Sequence, residues 1–122
     1  MSSSSASAAV KNATVIGTVL QLAMVLSGHY VEFVRLHVFA VGGMAISLLA
    51  GVICARDAGQ PRAQSALYGA LAGGACALIG IAVSRFLGDV ETSILFVGTL
   101  GSAVAGAIGG AIAGGRVVPQ PA

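Results

Sequence analysis

Charge is what this sequence most lacks: six basic and four acidic residues among 122, or 8%. A soluble domain carries roughly a quarter charged residues, so an ordinary water-soluble fold is excluded. Tryptophan is absent, and cysteine occurs only at positions 54 and 76, each inside an apolar run. Such a pair makes neither a disulfide framework nor a C-x-x-C redox or zinc site, and Cys54 and Cys76 read as small apolar packing residues. The three prolines, Pro61, Pro119 and Pro121, stand outside the apolar runs, which are therefore free of the strongest helix breaker. The net charge of +2 is small and the basic residues are scattered, which excludes a nucleic-acid-binding surface. No G-x-x-x-x-G-K-[ST] loop and no H-E-x-x-H helix occur, so phosphate-loop and zinc-hydrolase chemistry lack their carriers.

What is present is apolar: 57% hydrophobic residues and 18 glycines, gathered into long uncharged runs. Runs of this length without amphipathic spacing predict membrane-spanning helices, about 13–33, 36–54, 65–84 and 92–115. The fold class expected is all-α, a polytopic membrane protein with a compact bundle of four transmembrane helices. Residues 1–12, a Ser/Ala tract with Lys11 as its one charge, are expected to be a flexible tail, and 117–122 a short C-terminal one. A signal peptide with Ala13 to Leu26 as its apolar region and a cut after Ser27 matches the A-x-A pattern poorly, so the first run is expected to remain. The sequon Asn12-Ala13-Thr14 abuts a span and reads as accidental.

The last run, Thr92 to Gly115, organises the rest. Its 24 residues would measure roughly 36 Å as a helix, enough for a ~30 Å hydrocarbon core. Every fourth residue gives a ridge of small side chains: Gly98, Ser102, Gly106, Gly110 and Gly114. A neighbouring ridge, Gly101, Ala105, Gly109 and Ala113, is also small, while Leu100, Val104, Ile108 and Ile112 form a bulky ridge on the far side. Glycines cost stability in a water-exposed helix. In lipid they let another helix approach closely. Shorter ridges of the same kind are Gly43, Ser47 and Gly51 in the second span, and Gly69 with Gly73 in the third. These are the expected helix-packing residues.

Four spans put the N-terminus, the central connection and the C-terminus on one side. That side carries Lys11, Arg56, Arg62 and Arg116, against Arg35 and Arg85 on the other. By the positive-inside rule both termini are expected in the cytoplasm, in a plasma or inner membrane. The outer side gathers His29, Glu32, His37, Asp89 and Glu91 into a polar rim. Imidazole and carboxylate are normal metal ligands, but no ligand spacing is present and the groups come from two turns. Charges, with aromatics such as Tyr30 and Phe33, are the ordinary way a span ends at a membrane interface. No metal and no cofactor is expected.

Within the spans, Thr18, Ser47, Thr99 and Ser102 have no histidine or acid at comparable depth. They are expected to hydrogen-bond helix carbonyls or neighbouring helices rather than to act as nucleophiles. Gln21, the most polar mid-span residue, is expected to bond between helices. A shift of 59 residues superposes Glu32 on Glu91, Gly42 on Gly101 and Gly51 on Gly110, the pattern of two parallel repeats, although so many glycines make coincidence cheap.

Two glycine-rich hairpins joined by a loop with Gln60-Pro61 resemble the proteolipid subunits of rotary ATPases. Those carry an Arg-Gln-Pro loop and a carboxylate in mid-span. Here the order is Gln60-Pro61-Arg62 and every acid lies in a connection, so the ion-carrying function of that family does not transfer.

Two function classes follow. The first is a non-enzymatic membrane protein working through helix packing, as a homo-oligomer or as an accessory or assembly subunit of a larger complex. Its partners would be the lipid bilayer and, through the glycine ridges, itself or other membrane subunits, with no nucleic acid. The alternative is a small dimeric transporter or ion channel, whose acidic outer rim would attract cations. That alternative wants an ionisable group or a broken helix at mid-depth, and the sequence shows neither. No enzyme is expected.

Overall fold

The computed structural model describes residues 3–58 and 61–114. Among these, five α-helices follow one another: α1 (Ser3–Tyr30), α2 (Glu32–His37), α3 (Phe39–Ala58), α4 (Arg62–Phe86) and α5 (Thr92–Ala113). The described residues form helices and short turns and no strand, as the apolar runs predict. Three segments, Ser7–Tyr30, Arg62–Phe86 and Thr92–Ala113, are long and apolar enough to cross a membrane, which is the make-up of a membrane protein; the apolar part of α3, Val41–Arg56, is shorter.

The helices depart from the expected spans in three places. α1 starts at Ser3, so residues 3–12, expected as a flexible tail, are helical, and Ala9 is buried against a cluster that includes Cys54 and Ala72. A Ser/Ala tract cannot build a core of its own, but alanine is the best helix former and its methyl group fits a narrow gap between helices. The turn expected after the first span is a helix in its own right: α2 is set off by Val31 (φ −120°, ψ 106°) and by Val38. The central loop is shorter than expected, because α3 continues to Ala58 and α4 starts at Arg62. Pro61 stands at the N-cap of α4, where its missing N–H leaves no helical carbonyl unserved. Gly59, Gln60, residues 1–2 and residues 115–122, with Arg116 and the C-terminal tail, lie outside the described residues.

In cross-section the four long helices form a diamond. α3 and α4 pack side by side, each also packs against α1 on one flank and α5 on the other, and among the described residues α1 does not meet α5. α1 and α3 run antiparallel, with Gly17 opposite Ala50 and Gly28 opposite Phe39. α4 and α5 do the same, from Arg85 Nε donating to Thr92 Oγ1 at 3.0 Å to Arg62 Nε donating to the Gly114 carbonyl at 3.4 Å. Both hairpin turns therefore share one end of the bundle, the turn end. A two-fold relation between the hairpins would bring α1 to α5 as it brings α3 to α4. That contact is missing among the described residues, so the arrangement does not follow the 59-residue repeat.

Bulk is distributed inside out relative to a soluble protein. The buried apolar residues are Ala9, Ala13, Ala50, Cys54, Ala55, Ala72, Cys76, Ala77 and Ala105, with Val25 the only larger aliphatic among them. Leucine, isoleucine, valine and phenylalanine crowd the exterior. Burying methyl groups cannot drive such a chain together in water. Close backbone packing in a medium as apolar as the side chains can.

Candidate functional site

The half of the bundle away from the turns is closed by glycines. The backbone of Gly106 lies where a Cβ on Gly51, Gly69 or Gly73 would stand, so α5 meets α3 and α4 main chain to main chain at one level. The first small ridge of α5 faces α4: Gly98 meets the end of Ile81, while Gly110 and Gly114 meet Ser65. The second faces α3: Gly101 meets the tip of Met44, and Gly109 the carbonyl of Leu48. The bulky ridge points outward, with Leu100, Val104, Ile108 and Ile112 69, 59, 49 and 51% exposed. Gly43 differs from the other ridge residues. A Cβ there would find only ordinary contacts, Met24 Cε at 3.6 Å and Gln21 Oε1 at 3.7 Å.

A polar network crosses the middle. Gln21 is buried and its amide Nε2 donates to the Gly43 carbonyl at 3.2 Å and to Ser47 Oγ at 3.3 Å, with Cys76 Sγ at 4.0 Å. Ser47 passes its own hydrogen to the Gly73 carbonyl at 3.2 Å. One chain of donors thus ties α1 to α3 and α3 to α4. Gln21 does what a lone amide in an apolar run is expected to do. Of the in-span hydroxyls expected to hydrogen-bond, Ser47 does so, whereas Thr18 Oγ1 and Thr99 Oγ1 are buried with no partner among the described residues. Cys54 and Cys76 are both buried thiols and no disulfide joins them.

At the turn end, Gly88 is the one described residue with positive φ, +82°. Only glycine takes that conformation without strain. It lets the N–H of Gly88 reach the Arg85 carbonyl and the N–H of Asp89 reach the Ser84 carbonyl, each at 3.0 Å, the paired bonds that close a helix C-terminus. Asp89 is thereby pinned over the end of α4, where its Oδ2 meets His29 Nδ1 at 2.8 Å. This contact joins the two hairpins. Of the expected polar rim, these two residues come together. Glu32, His37 and Glu91 are exposed and stand apart, His37 with its ring against Phe33 at 4.9 Å. Among the described residues no group of three histidine, cysteine, aspartate or glutamate side chains gathers where it could hold a metal.

Between the polar network and the turn end the four long helices leave a cavity of about 340 Å³. Gln21 and Ser102 lie toward its inner end, Ser84 and Val90 toward the turns, and the rest of its wall is apolar. Two features escaped the sequence reading. The stripe Ala9, Ala13, Gly17, Gln21 and Val25 on α1 is buried throughout and has the same four-residue spacing as the ridges of α5, so it was there to be found. The cavity has no such signature, because a gap belongs to four surfaces at once. Set against protein-family models, curated proteins and solved structures, the chain matches none.

Proposed function

We propose that this chain is a non-enzymatic integral membrane protein, a bundle of four transmembrane helices closed by glycine-to-glycine crossings. It works as a homo-oligomer or as an accessory or assembly subunit of a larger membrane complex. The observation that carries this reading is the inverted distribution of bulk, with glycine, alanine and serine inside and branched aliphatics outside. α3 completes the four: its 20 residues would measure about 30 Å, and it is wedged between neighbours that share that depth. The placement of Lys11, Arg56, Arg62 and Arg116 favours cytoplasmic termini in a plasma or inner membrane.

The glycine ridges are engaged by helices of the same chain, which moves the partner surface away from where the ridges alone would put it. A second copy or another subunit meets the bulky outer faces instead. Transport has less support, since the polar group at the centre is the neutral Gln21, bonded to neutral neighbours.

Native mass in mild detergent, measured beside ion flux into proteoliposomes, tests the reading. A mass above that of one chain, made up by further copies or by a stoichiometric second protein, is expected, with flux no greater than in protein-free vesicles. A solitary chain that passes cations above that background would overturn the proposal in favour of the transporter.

A further inference from the structure

We infer that the cavity between the four long helices is a lipid-chain site: it takes one acyl chain, whose ester or acid carbonyl accepts a hydrogen bond from Ser84. The size suits a small apolar ligand, at about 340 Å³. Met24, Phe39, Ile81 and Val97 supply an apolar wall from all four long helices, one from each, and Ala77 extends the α4 side inward. Ser84 lines the same wall, is 1% exposed, and its Oγ has no hydrogen-bond partner among the described residues. Buried hydroxyls are almost always paired, so an unpaired one on a cavity wall points to an acceptor that enters from elsewhere.

The way in is lateral. Met44 on α3 and Ile94 and Val97 on α5 both line the cavity and are exposed, so its mouth opens sideways between those two helices. The His29–Asp89 contact and the neighbouring Val90 close the turn end above it. A lateral mouth at the depth of membrane-spanning segments draws on the bilayer rather than on water. The polarity also runs the right way. Ser84 lies two residues from the end of α4, and the cavity extends inward past Ala77, about 10 Å along the helix. A lipid carbonyl sits near the interface with its chain pointing inward, and this site presents its donor near the interface with its apolar length below.

The inference rests on the membrane reading, and one experiment separates the two. The full chain is reconstituted into phosphatidylcholine vesicles containing either a phosphatidylcholine or a free fatty acid with a photoactivatable diazirine in mid-chain, and adducts are mapped by mass spectrometry. Labelling of Met24 and Ile81, inside the cavity, is expected to exceed that of Val104 and Ile108 on the outward ridge, and the better probe identifies the source of the chain. Gly98→Leu, which fills the cavity, should abolish most cavity labelling and leave the ridge unchanged. Ser84→Ala removes the donor with little change of volume, and should reduce the yield of cavity adduct. Ridge labelling without cavity labelling would overturn the site while leaving the membrane reading intact. Absence of labelling everywhere would overturn both. Cavity labelling indifferent to Gly98→Leu and Ser84→Ala would likewise reject the assignment.

Discussion

Gly69 and Gly106 occupy one another's side-chain space: a Cβ on either would fall on the carbonyl oxygen of the other. The contact is reciprocal, between α4 and α5, and Gly51 and Gly73 close on Gly106 at the same level. Nothing larger than hydrogen fits at that crossing unless two main chains part.

This makes the glycines unequal. Gly69→Ala and Gly106→Ala should each destabilise the bundle by about 1–3 kcal/mol, the usual range for overpacking. Gly43→Ala, which meets only ordinary contacts, should be neutral or should stabilise by up to about 1 kcal/mol through helix propensity. Unfolding titrations followed by circular dichroism in mild detergent would measure all three. Equal responses at positions 43, 69 and 106 would contradict the close crossing.

Ile108→Leu conserves volume on the outward ridge and should cost less than about 1.5 kcal/mol, whereas Gly110→Leu drives a side chain into Ser65 and should exceed it. Both changes are apolar, so insertion is little altered and the difference reads packing alone. The same titration decides it, and a silent Gly110→Leu would mean that this part of α5 faces lipid.

The Gln21–Ser47 bond is open to a double-mutant cycle. Interhelical hydrogen bonds of this kind average about 0.6 kcal/mol and reach about 1.7, so Gln21→Ala and Ser47→Ala should couple within that range. A coupling indistinguishable from zero would mean that the two side chains do not bond in the membrane.

His29 and Asp89 join the hairpins at a partly wet site, with side chains 33 and 10% exposed. A polar contact at such a site contributes roughly 0–1 kcal/mol, so His29→Gln and Asp89→Asn should each cost no more than about that. Replacing His29 and His37 together by glutamine should leave the metal content measured by plasma emission unchanged. A stoichiometric metal lost on that change would reveal ligands that the positions of Glu32 and Glu91 do not supply.

Orientation is tested by thiol labelling in intact cells, in a background of Cys54→Ala and Cys76→Ala. Val90→Cys should react with a membrane-impermeant reagent, and Ser3→Cys, Gly59→Cys and Gln120→Cys should not. Reaction at position 59 from outside would reverse the charge-based topology.

What could be read in advance was local. Whether a face of α5 is small or bulky is settled by residues four apart, and the structure turns the bulky face outward. Gln21 was legible because one amide in an apolar run has few other things to do. Spacing says which face is sticky but not which neighbour it meets, so closure of the ridges on helices of the same chain could not be read. α2 is too short for any periodicity to mark it. The meeting of His29 with Asp89 spans 60 positions and depends on Gly88, which looks in the sequence like any of the 17 other glycines (18 in all).

The crossing at Gly106 also has a history in time. A ribosome adds about 5–20 residues per second, so the 33 positions between Gly73 and Gly106 represent a delay of about 2–7 s. α5 follows α3 and α4 in the chain, yet it supplies the surface on which Gly51, Gly69 and Gly73 all close. Until α5 is made, the main chain at Gly51, Gly69 and Gly73 lacks the backbone that closes on it in the finished fold. A helix from another protein with a small enough face could settle there first.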